Sequence, residues 1–328
     1  MNRRNFLHSS VVLSSAASVT PSLLWAKEKW PTQPVNIRVS SAPGGVPDTL
    51  ARLVSNRLGK TYSQSFVVLN KPGANGMIGM SEALRAPADG NNLIWGVAAW
   101  VTINPLIFEN ISYDASELVP LIQIGASPYT LYANSGLGVS TVDELVKLAK
   151  SKPGALTYGS SGNGSSSQLN TELLKQVTGI DLLHVPYKSS ADALRALAAG
   201  DIDVFMIDFA LGLGLVESGK IKMLAVVGGE RIAQIPDVPC FVELGYPITA
   251  VGWNGLFYRK GTPSHIIDKV TTSLRDWVKS KEGNRQLTEA SLVPTGVVRD
   301  EFQAILDRDK KIWSEVIKKS NLKIANKL

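Results

Sequence analysis

The chain has 328 residues, of which 44% are hydrophobic and 19% are charged, and 34 Lys and Arg against 28 Asp and Glu give a formal net charge of +6. This composition excludes a mainly disordered chain, a collagen-like chain and a heptad-dominated coiled coil, and the length predicts two domains. The basic excess is mild and contains no run of more than two Lys or Arg, so we predict no nucleic-acid partner.

Residues 1–26 have the pattern of an export signal. Arg3 and Arg4 form a basic start, residues 9–19 are small or apolar, and Ala26 is a small residue at a plausible cleavage point. The apolar run is too short and too rich in Ser to cross a bilayer, which takes ~20 residues. The Arg-Arg-x-Phe-Leu string fits a twin-arginine signal, and an ordinary Sec signal is equally compatible with it.

The first part of the mature chain alternates between strand-like and helix-like patterns. The predicted elements are a strand at Val35–Val39, a turn at 40–45, a helix from Asp48 to a stop at Gly59, a strand at 66–69, a turn at 70–76, a helix at 78–85 and a strand at Asn92–Val97.

The same order of elements recurs later in the chain. It consists of a strand at 155–158, a turn at 159–165, a helix at 167–177 ended by Gly179, a strand at 181–185, a turn at 186–189, a helix at 191–199 ended by Gly200 and a strand at 201–207.

Strands joined by helices predict parallel sheets with right-handed crossovers, and ligands bind beyond the carboxyl ends of such strands. We therefore predict an α/β fold with two lobes, each a mostly parallel sheet flanked by helices, and a ligand cleft between them. The extended stretches 121–132 and 253–258 would carry the chain between the lobes. Lobe one is then residues 27–126 plus 253–328, and lobe two is residues 127–252. Helices at 264–279 and 300–319 should pack on lobe one.

The glycine turns that precede the first helix of each half are the candidate binding site. Their residues are Pro43, Gly44, Gly45 and Asp48 in the first turn and Ser160, Ser161, Gly162, Gly164, Ser165 and Ser166 in the second. Such turns let a ligand approach free N–H groups at a helix start, where an anion is favoured. One turn of this kind could be only a tight loop, but the matched pair favours a clamp around a small anion.

Other residues keep two interpretations. Lys188 could meet a carboxylate or remain solvated, and Asp208 could bind an amine or hydroxyl of the solute or cap a helix. Trp95 and Trp100 could line the cleft, although core packing is favoured, and His184 is interpreted as structural.

The sequence has no convincing catalytic set. Residues 159–163 fail the G-x-S-x-G pattern because Asn163 ends them, and the string after Gly162 lacks the third glycine of a dinucleotide fingerprint. Three distant histidines and the single Cys240, which we expect to be a buried thiol, do not form a metal site. We predict a protein that is not an enzyme and that has no cofactor and no metal.

Seven ordered motifs resemble the tripartite tricarboxylate transporter receptor family, also called Bug or TctC-like solute receptors. They are Ala42-Pro-Gly-Gly-Val-Pro-Asp, Asn70-Lys-Pro-Gly-Ala-Asn-Gly, Pro87-Ala-Asp-Gly, Ile103-Asn-Pro, Tyr158-Gly-Ser-Ser-Gly-Asn-Gly, His184-Val-Pro-Tyr-Lys and Ile235-Pro-Asp-Val-Pro. The family's ligand loops match residues 43–48 and 160–166, and its cleft-facing segments match Lys188 and Asp208. The chain departs from the pattern at Gln168, Ser189 and Ile207, which leaves the identity of the solute open.

The resemblance implies a periplasmic receptor that captures a small carboxylate or related metabolite and delivers it to a membrane permease of one large and one small subunit. We predict a monomer. Two alternatives remain, a solute-sensing partner of a membrane sensor kinase and, with less support, a secreted enzyme on the same scaffold.

Overall fold

The secondary structure of residues 30–325 is described by a computed structural model, so the predicted export signal at 1–26 lies outside the described residues. The strands are β1 (Val35–Val39), β2 (Phe66–Asn70), β3 (Asn92–Val97), β4 (Leu118–Ser127), β5 (Tyr129–Asn134), β6 (Thr157–Ser160), β7 (Leu183–Pro186), β8 (Val204–Asp208), β9 (Ile221–Val226), β10 (Gly252–Arg259) and β11 (Val293–Val298). The helices are α1 (Val46–Tyr62), α2 (Met77–Arg85), α3 (Asn104–Ile107), α4 (Val142–Ser151), α5 (Ser166–Thr178), α6 (Ser190–Ala199), α7 (Leu213–Glu217), α8 (Ser264–Lys279), α9 (Lys281–Glu289) and α10 (Arg299–Lys319).

These strands form two sheets. One has six strands in the order β11-β4-β10-β3-β1-β2, and the other has five in the order β7-β6-β8-β5-β9. Strand β1 is parallel to β2 and β3, and β6 is parallel to β7 and β8, as the helical crossovers require. The remaining pairs are antiparallel. The predicted α/β class with two helix-flanked sheets is confirmed, but the sheets are mixed rather than mostly parallel.

The chain passes directly from one sheet to the other. Strand β4 of the six-stranded sheet ends at Ser127, and β5 of the five-stranded sheet begins at Tyr129, so that Pro128 alone separates them. The chain returns to the six-stranded sheet at Gly252, where β10 begins. The division into lobes of 27–126 plus 253–328 and 127–252 stays a prediction.

Helix α1 shows how local sequence sets an element that borders the site. Its apolar side, which includes Leu50, Val54 and Leu58, is fully buried. The predicted stop at Gly59 is wrong, because the helix continues to Tyr62 and ends where Ser63 adopts a left-handed φ of 51°. A glycine permits a helix to end, but it does not force the end while the turns on both sides of it pack.

The core takes up most of the large side chains. Trp95 and Trp100 are both buried, which agrees with the favoured core interpretation, and Cys240 is buried as predicted. Within residues 30–325, the helices are all too short or too polar to span a membrane.

Candidate ligand-binding site

A cavity of about 200 Å³ lies beyond the carboxyl ends of β3 and β8 and beside the start of α1. It is lined by Val46, Pro47, Val97, Ala98, Ala99, Ser127, Tyr129, Ser166, Asp208, Gly252, Trp253 and Asn254. These residues come from both sheets. The location is the one that parallel α/β sheets favour for ligands. Its volume is below the ~300–1,000 Å³ typical of pockets for drug-sized ligands, so the cavity suits a small metabolite.

Two helix N-termini border this cavity. Val46 and Pro47 open α1, and Ser166 opens α5. The first N–H groups of a helix have no acceptor within the helix, and the aligned peptide dipoles leave a partial positive charge there. Pro47 has no N–H, so at this position it leaves no donor unpaired. The pair of N-termini therefore favours an anionic group in the cavity, as the matched glycine turns predict.

The first glycine turn is fixed by Asp48. Its Oδ2 accepts hydrogen bonds from the Gly44 N–H at 2.9 Å and from Arg52 Nε at 3.0 Å. Burial raises the pKa of Asp48, but the hydrogen bonds from Arg52 and Gly44 outweigh this effect and hold the pKa below its usual value. The Asp48 side chain is 4% exposed, so it stabilises the turn from inside and does not face the cavity. Pro43, Gly44 and Gly45 are exposed next to the cavity-lining residues Val46 and Pro47.

A chain of hydrogen bonds holds the second glycine turn. The Gly164 N–H donates to Gln168 Oε1 at 2.7 Å, which leaves the Gln168 amide nitrogen to donate to His184 Nδ1 at 3.2 Å. Because Nδ1 accepts, the neutral imidazole carries its proton on Nε2 and donates to Ser160 Oγ at 2.6 Å. Burial lowers the pKa of His184, an effect that Glu172 opposes and Lys175 reinforces. His184 is therefore a structural residue in its neutral form.

The other residues of the second turn surround this chain of hydrogen bonds. Ser160 is fully buried, and Gly164 is buried with a left-handed φ of 76°. The left-handed φ favours glycine at this position, and a Cβ at Gly164 would also lie 2.7 Å from Ile324 Cδ1, which would have to shift. Ser161, Gly162 and Ser165 are half-buried. Of the six residues predicted in this turn, Ser166 is the one that borders the cavity.

The two predicted charged residues have different locations. Asp208 borders the cavity, whereas Lys188 is exposed on a separate open hollow of about 600 Å³ that it shares with Asp192 and Arg195. The structure therefore does not bring Lys188 together with Ser166 and Asp208.

Asp208 lies where β8 ends. Its Oδ1 accepts a hydrogen bond from the Ala210 N–H at 3.1 Å, so it caps the short helical turn that follows, as one of its two predicted roles requires. Burial raises the pKa of Asp208 to about 6, and the hydrogen bond from Ala210 only partly offsets this effect. Burial likewise raises the pKa of neighbouring Tyr129 to about 12, with a hydrogen bond to Ser166 lowering it and the Asp208 charge raising it.

Sequence reasoning missed most of the residues that form the floor of the cavity. Trp95 Nε1 donates to Asn254 Oδ1 at 3.2 Å, and Asn254 Nδ2 donates to Ser127 Oγ at 3.0 Å. Trp253 Nε1 donates to Asp309 Oδ2 at 3.0 Å beneath the floor. Ser127, Trp253 and Asn254 lie in β4 and β10, whose sequences were interpreted only as connections, and the Trp253-Asn254 pair was the available signal. Trp95 lies in β3 and had been considered as a residue that could line the cleft.

Comparison with known proteins identifies the family of this chain and related solved structures. The family model for the tripartite tricarboxylate transporter family receptor matches residues 50–322. Among solved structures, Rpa4515 of R. palustris with adipate is 33% identical with a TM-score of 0.78, covering 89% of this chain and 98% of that one. The periplasmic binding protein BugD is 27% identical with a TM-score of 0.73 and coverages of 90% and 99%. MatC of Rhodopseudomonas palustris with bound malate is 26% identical with a TM-score of 0.71 and coverages of 88% and 100%.

Proposed function

Because the chain belongs to the tripartite tricarboxylate transporter receptor family, whose members bind solutes and are not enzymes, we propose that it captures a small carboxylate in the cavity between the N-termini of α1 and α5. It acts in the periplasm after removal of residues 1–26 and delivers the solute to a membrane permease of one large and one small subunit. The observation that supports this proposal most directly is a cavity bordered by two helix N-termini, one from each half of the repeated plan. The solved structures of relatives with adipate and with bound malate support the ligand class.

The energetics require both halves to contribute. One exposed helix N-terminus stabilises an anion by ~0.3–1 kcal/mol, whereas micromolar affinity takes about 8 kcal/mol. Charge-assisted hydrogen bonds of ~1.5–3 kcal/mol each can make up the difference when water is excluded. We therefore propose that the lobes predicted from the sequence, residues 27–126 plus 253–328 and residues 127–252, close on the solute as a monomer.

Replacing Val46 with aspartate should weaken binding of the carboxylate at least tenfold. Val46 is 46% exposed at the first position of α1, so the substitution leaves the helix intact but sets a negative charge beside the anion. The mature protein is first screened against carboxylates, amino acids and amides by thermal shift, and the tightest hit is measured by calorimetry. A ligand at 100 times its Kd should add ~2.7 kcal/mol to the free energy of unfolding.

Val67→Asp is the matched control, because Val67 is similarly exposed at 41% but lies on β2 outside the cavity lining. It should bind the same ligand with unchanged affinity. Equal affinities in both variants, or no carboxylate that binds the mature protein, would contradict the proposed capture of a carboxylate in this cavity.

A further inference from the structure

A second hollow, of about 950 Å³, lies along the free edge of the six-stranded sheet. We call it the β2 groove, and its borders are residues 52–60 of α1, residues 64–68 at β2, and Trp277, Glu282 and Gln286 of α8 and α9. It shares no lining residue with the ligand cavity. Helix α1 reaches both, because its first residues border the cavity and its later turns border the groove.

The backbone of β2 is open towards this groove. Strand β2 is the edge strand, and β1 is its one neighbour among the described strands. The Lys71 N–H donates to Val39 O at 2.9 Å, so the odd-numbered residues of β2 bond to β1. The even-numbered residues point their N–H and C=O groups outwards, which agrees with the hydrogen bond from Ser55 Oγ to Phe66 O. Val68 is the next even-numbered residue, so its N–H and C=O are available to a further strand.

The two faces of this edge differ in their side chains. Phe66 is buried and points to α1, where its ring centroid lies 6.0 Å from that of Tyr62. Val67 and Leu69 point to the opposite face and are 41% and 39% exposed. A strand added beside β2 would alternate in the same way, with every second side chain beside these two apolar residues and the others towards α1.

The α1 side of the groove has an excess of positive charge. The charged residues of its lining are three cations and one anion, namely Arg52, Arg57, Lys60 and Glu282. Arg52 pairs with Asp48, whereas Arg57 and Lys60 form no ion pair within residues 30–325. In the same part of the chain, Arg57 Nε is buried without a hydrogen-bond acceptor. This side therefore attracts carboxylates.

On the basis of the proposed delivery to a membrane partner, we propose that an extended acidic segment of that partner protein docks in the β2 groove as an added strand. Its backbone pairs with Val68, and its acidic side chains face Arg57 and Lys60. Its apolar side chains cover Val67 and Leu69. A second copy of this chain does not fit, because pairing β2 with β2 would set two cationic α1 helices side by side.

Fluorescence anisotropy with labelled peptides, blocked at both ends, tests the charge of the occupant. The acidic probe alternates Glu and Val, and the basic probe alternates Lys and Val. The native mature protein should bind the acidic probe, less tightly as the ionic strength rises, and should not bind the basic one. Lys60→Glu should weaken the acidic probe at least tenfold.

Lys150→Glu is the matched control for this charge reversal. Lys150 is exposed in the last turn of α4, as Lys60 is in the last turn of α1, but it lies outside the lining of the groove. The acidic probe should bind Lys150→Glu with the affinity of the native protein.

A second pair of variants tests the strand addition. Val68→Pro removes the outward N–H and leaves the bonds of the odd-numbered residues to β1, so the fold should persist and the acidic probe should weaken at least tenfold. Val68→Ala keeps the N–H and should bind the probe within a factor of three of the native protein. In the native protein, which needs no substitution, the probe should slow hydrogen exchange of the Val68 N–H.

The outcomes decide between this docking site and its alternatives. No binding of the acidic probe, equal binding of the basic probe, or equal affinities in Lys60→Glu and Lys150→Glu would overturn it. Binding without protection of the Val68 N–H would mean charge attraction alone and would overturn it too. Vesicles of phosphatidylglycerol that bind the native protein when the acidic probe does not would make the groove a membrane contact instead.

These measurements use no solute, so their failure differs from failure of the proposed function. A protein that binds carboxylates but not the acidic probe would keep the proposed capture and lose the docking site. A protein that binds the acidic probe but no carboxylate would contradict the proposed capture and keep the groove as a site for acidic strands.

Discussion

Replacing Gln168 with leucine is expected to lower the free energy of unfolding by about 2–4 kcal/mol, because it leaves one buried and one half-buried polar group without a partner, at ~1–3 kcal/mol for the buried group and less for the other. These groups are the Gly164 N–H and His184 Nδ1, which the glutamine amide now joins. The second glycine turn should lose its fixed shape, so that carboxylate affinity falls at least tenfold. Urea unfolding and calorimetry measure the two effects, and an unchanged urea midpoint would contradict the role given to this hydrogen-bond chain.

Gln168→Glu is the matched variant, because it keeps an oxygen for the Gly164 N–H but presents an acceptor to His184 Nδ1. His184 must then hold a proton on Nδ1, and the adjacent carboxylate favours the imidazolium, so the pKa of His184 should rise above the native value. In the native protein, burial lowers the pKa of His184, so the unfolded chain binds the extra proton more readily and this group lowers stability as the pH falls below ~6.5.

The glutamate variant should reverse that dependence. In this variant the pKa of His184 in the folded protein should lie above ~6.5, its value in the unfolded chain. The resulting stabilisation is fully present below pH ~6.5 and is lost as the pH rises through the folded-state pKa. NMR titration of His184 and His265, the two histidines of the mature protein, reports the pKa of His184, and urea midpoints between pH 5 and 8 report the stability. Parallel pH profiles for the native protein and Gln168→Glu would contradict the assigned hydrogen-bond pattern.

Elements with a clear local pattern could be predicted from the sequence. The helix at Ser264–Lys279 follows from apolar residues at helical spacing, and Gly179 ends α5 with a left-handed φ of 70°. Helix α4 was missed, although Thr141 and Glu144 form a capping box that the sequence already displays. Local signals of this kind are sufficient because they involve residues within one or two turns of each other.

Sheet composition could not be predicted in the same way. Strand β11 pairs with β4, and the residues joined, such as Val293 and Ala126, are far apart in the chain. An antiparallel partner of this kind depends on long-range packing, which strand propensity does not encode. The prediction of mostly parallel sheets therefore described β1, β3, β6 and β8 well but omitted their antiparallel neighbours.

The same distinction applies to the site. The turns that open α1 and α5 were found because glycine and helix-start residues are adjacent in sequence. Lys188 was placed with Asp208 because both follow strands, but β7 is an edge strand and β6 lies between it and β8. Strands β7 and β8 are therefore two strand spacings of ~4.8 Å apart. At this distance Lys188, which follows β7, lies on a different surface from the cavity that Asp208 borders.

The floor of the cavity depends on Trp253, and Trp253→Ala should lower the free energy of unfolding by about 3–5 kcal/mol. The indole is 2% exposed and meets Phe302 in an edge-to-face contact with ring centroids 5.1 Å apart. Its loss leaves a void directly beneath the ligand cavity, so carboxylate affinity should fall as well. Urea unfolding measures the loss of stability, and a change below ~1 kcal/mol would show that the floor repacks without the indole.

Trp253→Phe separates packing from hydrogen bonding. It keeps an aromatic ring against Phe302 but removes the Nε1–H that Asp309 Oδ2 accepts, which leaves a fully buried carboxylate oxygen without that donor. Burial already raises the pKa of Asp309, so the ionised form is the costly one, and Asp309→Asn should relieve that cost. In a double-mutant cycle, Trp253→Phe and Asp309→Asn should couple by ~0.5–3 kcal/mol. The reason is that the neutral side chain of Asp309→Asn leaves no buried charge for the Trp253 indole to stabilise. Strictly additive losses would mean that Trp253 acts through packing alone.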